Sequence, residues 1–298
     1  MYNLKQSFQI AFYNFRLWKK NPRVIMTFVL AFVLCLMLSD KAVSLARSYG
    51  TSMQILEAFV WTFGDANSIM ISSLLLILLF ADMPFISQGT PYFLCRTKRV
   101  LWIWGQVIYV VLATLLYTLF LLAVSCVICA PQSFPGNMWS ETGALLGYSG
   151  VGVKIALPAS VKTMEMSQPY QCAAVIFVLI TLYSLVIASI MLLFNLCKSQ
   201  FLGVLSVFTL NLYGLLLNPQ IFMTLFQIPQ AMEYKANVAA GWLSPLNHAT
   251  YYMHNFGYDY LPRIWMSIGV FLVFLLFNLF MICRRVRRYE FHFLQLNE

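Results

Sequence analysis

The residues best suited to chemistry lie in two stretches. His248, His254 and Asp259 fall close together in a segment that also holds Trp242 and several tyrosines. Their H-x5-H-x4-D spacing fits no single helical face, so a metal or acid–base role competes with ordinary loop structure. The second stretch runs from Asp82 to Arg99 and continues into Trp102-Ile-Trp-Gly105-Gln106. It opens with an acid, is broken by Pro84, Gly89 and Pro91, and predicts a short helix over about 92–99. That helix sets Tyr92, Phe93 and Leu94 beside Arg96, Lys98 and Arg99. Such an element suits docking of a soluble partner, and equally suits a basic loop that grips anionic lipid. The seven cysteines form no paired CxxC or CxxC/HxxxH set, so no metal site is expected from them. The chain has no GxxxxGK[ST], GxSxG, HExxH or GxGxxG-plus-acid pattern. No catalytic residues and no nucleotide site are therefore expected in it.

The elements that must position these residues follow from composition. The chain has 298 residues, of which 61% are hydrophobic and only 10% charged, with a mean hydropathy of +0.76. Soluble domains carry about 25% charged residues. The composition excludes a soluble enzyme, a disordered chain and a disulfide-stapled module. It predicts an all-α, polytopic membrane protein.

Six apolar runs approach the roughly 20 residues needed to cross a bilayer. They cover about 24–40, 66–82, 101–130, 171–197, 200–218 and 264–283, and the first two, short between their bounding charges, are expected to extend by a turn with the charged ends snorkelling to the interface. None contains Asp, Glu, Lys, Arg or His in its interior. Ion-coupled transporters commonly place such groups at mid-membrane, so a secondary transporter is disfavoured. Basic residues lie mainly on one side of these spans, 13 of 19, in the segments before span one, between spans two and three, between four and five, and after six. The positive-inside rule then predicts a multi-pass protein of the plasma membrane with both termini cytoplasmic. This asymmetry accounts for the net charge of +9 without a nucleic-acid partner. Residues 1–22 lack the apolar core of a signal peptide. Leu4, Phe8, Ala11, Phe12, Phe15 and Trp18 instead share one helical arc, which predicts an amphipathic helix in contact with membrane lipid. The glycine-interrupted stretch 131–170 reads as an external solvated loop. Trp139, Trp242, Tyr251, Tyr252, Tyr258, Tyr260 and Trp265 read as an outer aromatic belt.

One resemblance covers the layout of nearly the whole chain. An apolar span, an acid, Gly89-Thr90, Arg96-x-x-Arg99 and Trp102-x-x-Gly105-Gln106 resemble the ABC-2-type permeases of ATP-binding-cassette exporters. Ser244-Pro245-Leu246-Asn247-His248 resembles a turn in the same family's external segment. The resemblance implies an elbow helix at 1–22, a six-span domain over 23–283 and a cytoplasmic basic tail at 284–298. It also implies an external re-entrant helical segment over 219–263, between spans five and six. It makes 82–99 the coupling helix, with Gly89, Thr90, Tyr92, Arg96, Lys98 and Arg99 facing a separate ATPase subunit that carries ATP and Mg. A second permease copy, or a similar chain, completes the assembly. Spans two and five would line the path, offering Asn67, Ser68, Ser72, Ser73, Thr209, Asn211 and Tyr213. That wall suits an amphipathic or apolar cargo such as a peptide, drug or lipid-like molecule. A secondary transporter and a non-transporting scaffold or immunity protein remain the alternatives.

Overall fold

The computed structural model describes residues 2–84, 91, 95, 97–155, 157, 159–217, 219–227, 229–257 and 259–289. The chain is mostly helical and includes helices long and apolar enough to cross a membrane. Four such helices stand among the described residues: α2 (Pro22–Tyr49), α5 (Arg99–Cys129), α9 (Pro169–Leu196) and α13 (Ile264–Val286). Two bent pairs raise the number to six if each pair is one span. They are α3 (Glu57–Phe63) with α4 (Ala66–Phe80), bent by 85°, and α10 (Gln200–Leu216) with α11 (Pro219–Leu225), bent by 74°.

Local signals explain the boundaries. Asn21 caps α2 by accepting the Arg23 N–H, and Pro22 sits at the first helical position, where its missing donor costs nothing. The helix ends where Gly50 adopts φ +65°, a left-handed conformation that favours glycine. The span expected to extend a turn past Asp40 thus continues further, through Lys41 and Arg47 to Tyr49. Those three side chains are exposed, so helix propagation crosses them without burying a charge. Asp65 caps α4 through the Asn67 N–H. With 15 residues, α4 is about 22 Å long, short of the roughly 30 Å hydrocarbon layer. The expected span 66–82 is therefore not filled by α4 alone, and α3, whose seven residues are all buried, turns off at 85° and runs across its end. Gly64 allows the sharp bend, because a Cβ there would stand 2.6 Å from the Val60 carbonyl oxygen.

Helix α9 is the hub of the bundle. In its most apolar stretch 61% of residues are buried, against 22–39% for the other three long helices. It packs on α13, α10, α5, α4 and α3. At one end of the bundle, Met53–Gln54 pairs in parallel with Ser133–Phe134. Around this pair the 131–170 stretch is largely helical, with α6 (Glu141–Tyr148), α7 (Val151–Lys154) and α8 (Val161–Met166), where the sequence suggested a loop. Buried Thr142, Leu146, Leu157 and Met164 give these short helices an apolar seat that their glycines had concealed. One further helix, α12 (Glu233–Leu243), precedes the turn at 244–250.

The first helix, α1 (Tyr2–Leu17), docks along α5. Ser7 Oγ donates to the Leu101 carbonyl at 3.1 Å, Asn14 Nδ2 to Gln106 Oε1 at 2.9 Å, and Trp18 Nε1 to the Tyr109 hydroxyl at 2.7 Å. The buried face is therefore Ser7, Ile10, Ala11 and Asn14, rather than the arc of Phe8 and Phe12. Phe8 and Phe12 stay exposed, at 39% and 60%. The seat is Gly105, where a Cβ would meet Ile10 at 2.7–2.8 Å and the Ser7 carbonyl at 3.0 Å. Substitution Gly105→Val should lift α1 away at a cost of about 1–3 kcal/mol, as overpacking does elsewhere. A melting temperature in detergent that matched the parent protein would show that α1 does not rest on this residue.

Candidate functional site

The stretch beginning at Asp82 leaves the bundle beside the first residues of α2. Arg23 Nη1 pairs with Asp82 Oδ1, and Asn21 Nδ2 reaches Asp82 Oδ2 at 3.5 Å. The same exit is held from the other side by Asn195, next to last on α9. Its Nδ2 faces the carbonyls of Met83 at 2.6 Å, Ala81 at 3.1 Å and Phe80 at 3.5 Å. The amide thus collects carbonyls at and just past the end of α4, where helix-type partners run out; the Phe80 carbonyl also accepts the Met83 N–H at 3.2 Å. Gly203 on α10 closes over this amide, since a Cβ there would lie 3.2 Å from Asn195 Oδ1. At the far end, Arg99 Nη1 donates to the carbonyls of Tyr289 at 3.2 Å and Arg287 at 3.4 Å. The segment is thus tied at its start to α2, α9 and α10, and at its end to the chain after α13.

Of the residues expected to face an ATPase, Gly89, Thr90, Tyr92 and Arg96 lie outside the described residues. Lys98 and Arg99 are exposed. The expected short helix does not run on to Arg99. Thr97 and Lys98 are not helical, and Arg99 opens α5 instead. Trp102 and Gln106 are buried, and Gly105 seats α1, so this part of the motif serves packing within the chain.

The expected lining residues divide in two. Ser68, Ser72, Ser73 and Asn211 are buried, while Asn67, Thr209 and Tyr213 are exposed. Ser73 and Tyr183 both donate to Asn211 Oδ1 at 2.9 Å, and Asn211 Nδ2 donates to the Val207 carbonyl at 3.0 Å. Ser72 Oγ donates to the Ile69 carbonyl, and the Ser72 carbonyl accepts from Tyr117. Ser73 and Asn211 thus use polar groups to join helices, while the Ser72 hydroxyl bonds within its own helix. Thr209 donates to the Leu205 carbonyl at 2.8 Å.

Two carboxylates behave differently from expectation. Glu57, at the start of α3, is fully buried and escaped notice because it lies outside the apolar runs. Its oxygens accept from Ser140 N–H at 2.7 Å, from Ser140 Oγ, and from Gln54 N–H at 3.3 Å. No basic side chain pairs with it among the described residues. The one sequence signal was its position at the head of a run, Ala58–Phe63, that is apolar but for Thr62. Asp259 joins neither histidine in an ion pair and pairs instead with Lys162. Both border a cavity of about 440 Å³ that also exposes Tyr234, Asn237 and Tyr252.

The two histidines do meet, on a residue the sequence did not single out. His248 Nδ1 and His254 Nε2 each lie 2.8 Å from Ser267 Oγ, in the first turn of α13. Their other nitrogens face the carbonyls of Trp242 at 3.0 Å and Tyr251 at 3.1 Å. Nearby, Ser244 Oγ donates to the Gly214 carbonyl at 2.9 Å, so the 244–248 turn is pinned to α10. Of the expected aromatic belt, Trp242, Tyr260 and Trp265 are exposed. Tyr251 is buried, and Trp139 stacks within 5.2 Å of Trp61. Tyr258 lies outside the described residues. Among the described residues, no group of three His, Cys, Asp or Glu is placed to hold a metal.

Burial pulls both imidazoles below their ordinary range, His254 to about 4, and Lys162 and His248 add to the effect at His254. The unfolded chain therefore binds protons that the folded one refuses. Stability should be level above about pH 6.5 and decline as pH falls from there toward 4. Melting followed across this window checks it, and His254→Asn should flatten the curve. An acid decline unchanged in that variant would assign the effect to other groups.

Compared with known proteins, the chain matches no family model, no curated protein and no solved structure.

Proposed function

We propose that this chain is the membrane subunit of an ATP-driven exporter, resembling the ABC-2-type permeases, and that it works in the plasma membrane. In this reading six spans cross the bilayer, with each bent pair counted as one, and both termini face the cytoplasm. Helix α1 is the elbow helix, and 219–263 forms the external segment. A separate ATPase subunit binds ATP and Mg and docks on 82–99, while a second permease chain completes the path. The observation that supports it best is the double anchoring of 82–99. A force applied there passes through Asp82 to α2, through Asn195 to α9 and α10, and through Arg99 to the chain after α13. A loop that served only to set topology needs no such ties. The exposed Asn67, Thr209 and Tyr213 remain available to a cargo, in an otherwise aliphatic setting that favours an amphipathic or apolar molecule.

The double variant Arg96→Glu/Lys98→Glu, coexpressed with the ATPase of the neighbouring reading frame, should lose ATPase copurification at unchanged membrane yield. Arg99 is left intact because it holds the carbonyls of Arg287 and Tyr289. An ATPase that still copurifies in normal amount would remove 82–99 as the docking surface.

Glu57 favours a second reading, a proton-coupled secondary transporter. A buried carboxyl with no basic partner among the described residues is a group that could load and unload a proton. In proteoliposomes, Glu57→Gln should leave ATP-dependent export intact if the first reading holds. Loss of pH-gradient-driven cargo movement in this variant would favour the second.

A further inference from the structure

The groove beside the Trp18–Lys20 turn has the form of a lipid site. It is a cavity of about 540 Å³ between this turn, the first turns of α2 and one residue of α5. Trp18, Ile25, Phe28, Phe32 and Phe120 supply an apolar wall, and Lys19 is the one charged residue on its lining. The back of the groove is fixed. The Trp18 indole is tethered to the Tyr109 hydroxyl, its ring stands 5.6 Å from Phe28, and Phe28 meets Phe120 edge-on at 5.1 Å. The front is open, with Ile25, Val29 and Phe32 exposed at 55%, 53% and 45%. Lys19 takes part in neither ion pair among the described residues. Lys5, Arg16 and Lys20 are also exposed on the same stretch of chain.

An apolar slot with a cation at its mouth is complementary to an amphiphile with an anionic head. A soluble partner would need polar groups along the slot, and the wall offers almost none. We infer that this groove binds an anionic phospholipid, its phosphate at Lys19 and one acyl chain along Ile25, Val29 and Phe32. The inference rests on the chain being embedded in a bilayer and is independent of the exporter reading. Lys19 on the lining, without an ion-pair partner among the described residues and followed by the exposed Lys20, favours a net-negative headgroup over a zwitterionic one. Each basic residue near a membrane surface contributes about 1 kcal/mol toward anionic lipid, or about fivefold in binding.

The test uses the full chain in detergent, mixed with equal amounts of phosphatidylglycerol and phosphatidylcholine. Retained lipid is counted by native mass spectrometry, and melting is followed in parallel. The parent protein should retain phosphatidylglycerol in preference and melt higher with it. Lys19→Glu should lower that preference at least fivefold, and Val29→Trp, which fills the groove, should lower retention of the lipid itself. Lys154→Glu makes the same change in net charge on an exposed residue of another element, and should leave the preference intact. Equal retention of the two lipids by the parent protein overturns the proposal. So does a loss in Lys154→Glu as large as in Lys19→Glu, or undiminished retention in Val29→Trp.

Discussion

The amide of Asn211 receives two hydroxyl groups at once, Ser73 from α4 and Tyr183 from α9, while returning its own N–H to α10. In a bundle whose surroundings are apolar, a polar side chain has no water to fall back on. Sliding these helices past one another breaks the Tyr183 and Ser73 contacts to Asn211, and of the two hydroxyls Ser73 has a second acceptor at hand, the Met70 carbonyl at 2.7 Å. Individual bonds of this kind contribute modestly within membranes, about 0.6 kcal/mol on average. Their value here is in register, since they fix the relative depth of three helices that apolar contacts alone would let slip. Asn195 repeats the device one end further along α9, where it gathers the closing carbonyls of α4. The anchoring of the segment after Asp82 depends on α4 and α9 already being held in this way.

Much of the scaffold was legible because lipid imposes a simple rule on sequence. The long apolar runs near 101–130, 171–197 and 264–283 coincide with α5, α9 and α13 to within a few residues. The errors share a cause. Charges bound the apolar runs, yet α2 passes more than a turn beyond Asp40 and Lys41 because an exposed charge does not stop a helix. Glycines over 131–170 read as loop markers, yet Gly143 is there because the Glu57 carboxylate lies 3.2–3.5 Å from where its Cβ would be. The second has no local signature, since it depends on a residue distant in sequence.

The same limit governs the sites. His248 and His254 could be seen to lie near each other, but Ser267, which joins them, is one serine among many. The helical arc of α1 was visible, whereas its partner face was not. The arc assigned Phe8 and Phe12 to the apolar side, while the docked surface follows Ser7, Ile10 and Asn14, whose polar atoms find partners on α5. A hydropathy pattern reports which side avoids water. It does not separate the side that meets protein from the side that meets lipid.

Helix α2 has 28 residues and so measures about 42 Å, roughly 12 Å more than the hydrocarbon layer it would cross. Tilting could hide the excess only by drawing Asp40, Lys41 and Arg47 toward the acyl chains, which their charge opposes. The helix must then stand proud of the bilayer like a post. In a bilayer, the pair Met53–Gln54 with Ser133–Phe134 and the short helices packed near that tip would be carried upward with it, clear of the headgroups. A raised rim of protein would then stand on that side of the membrane.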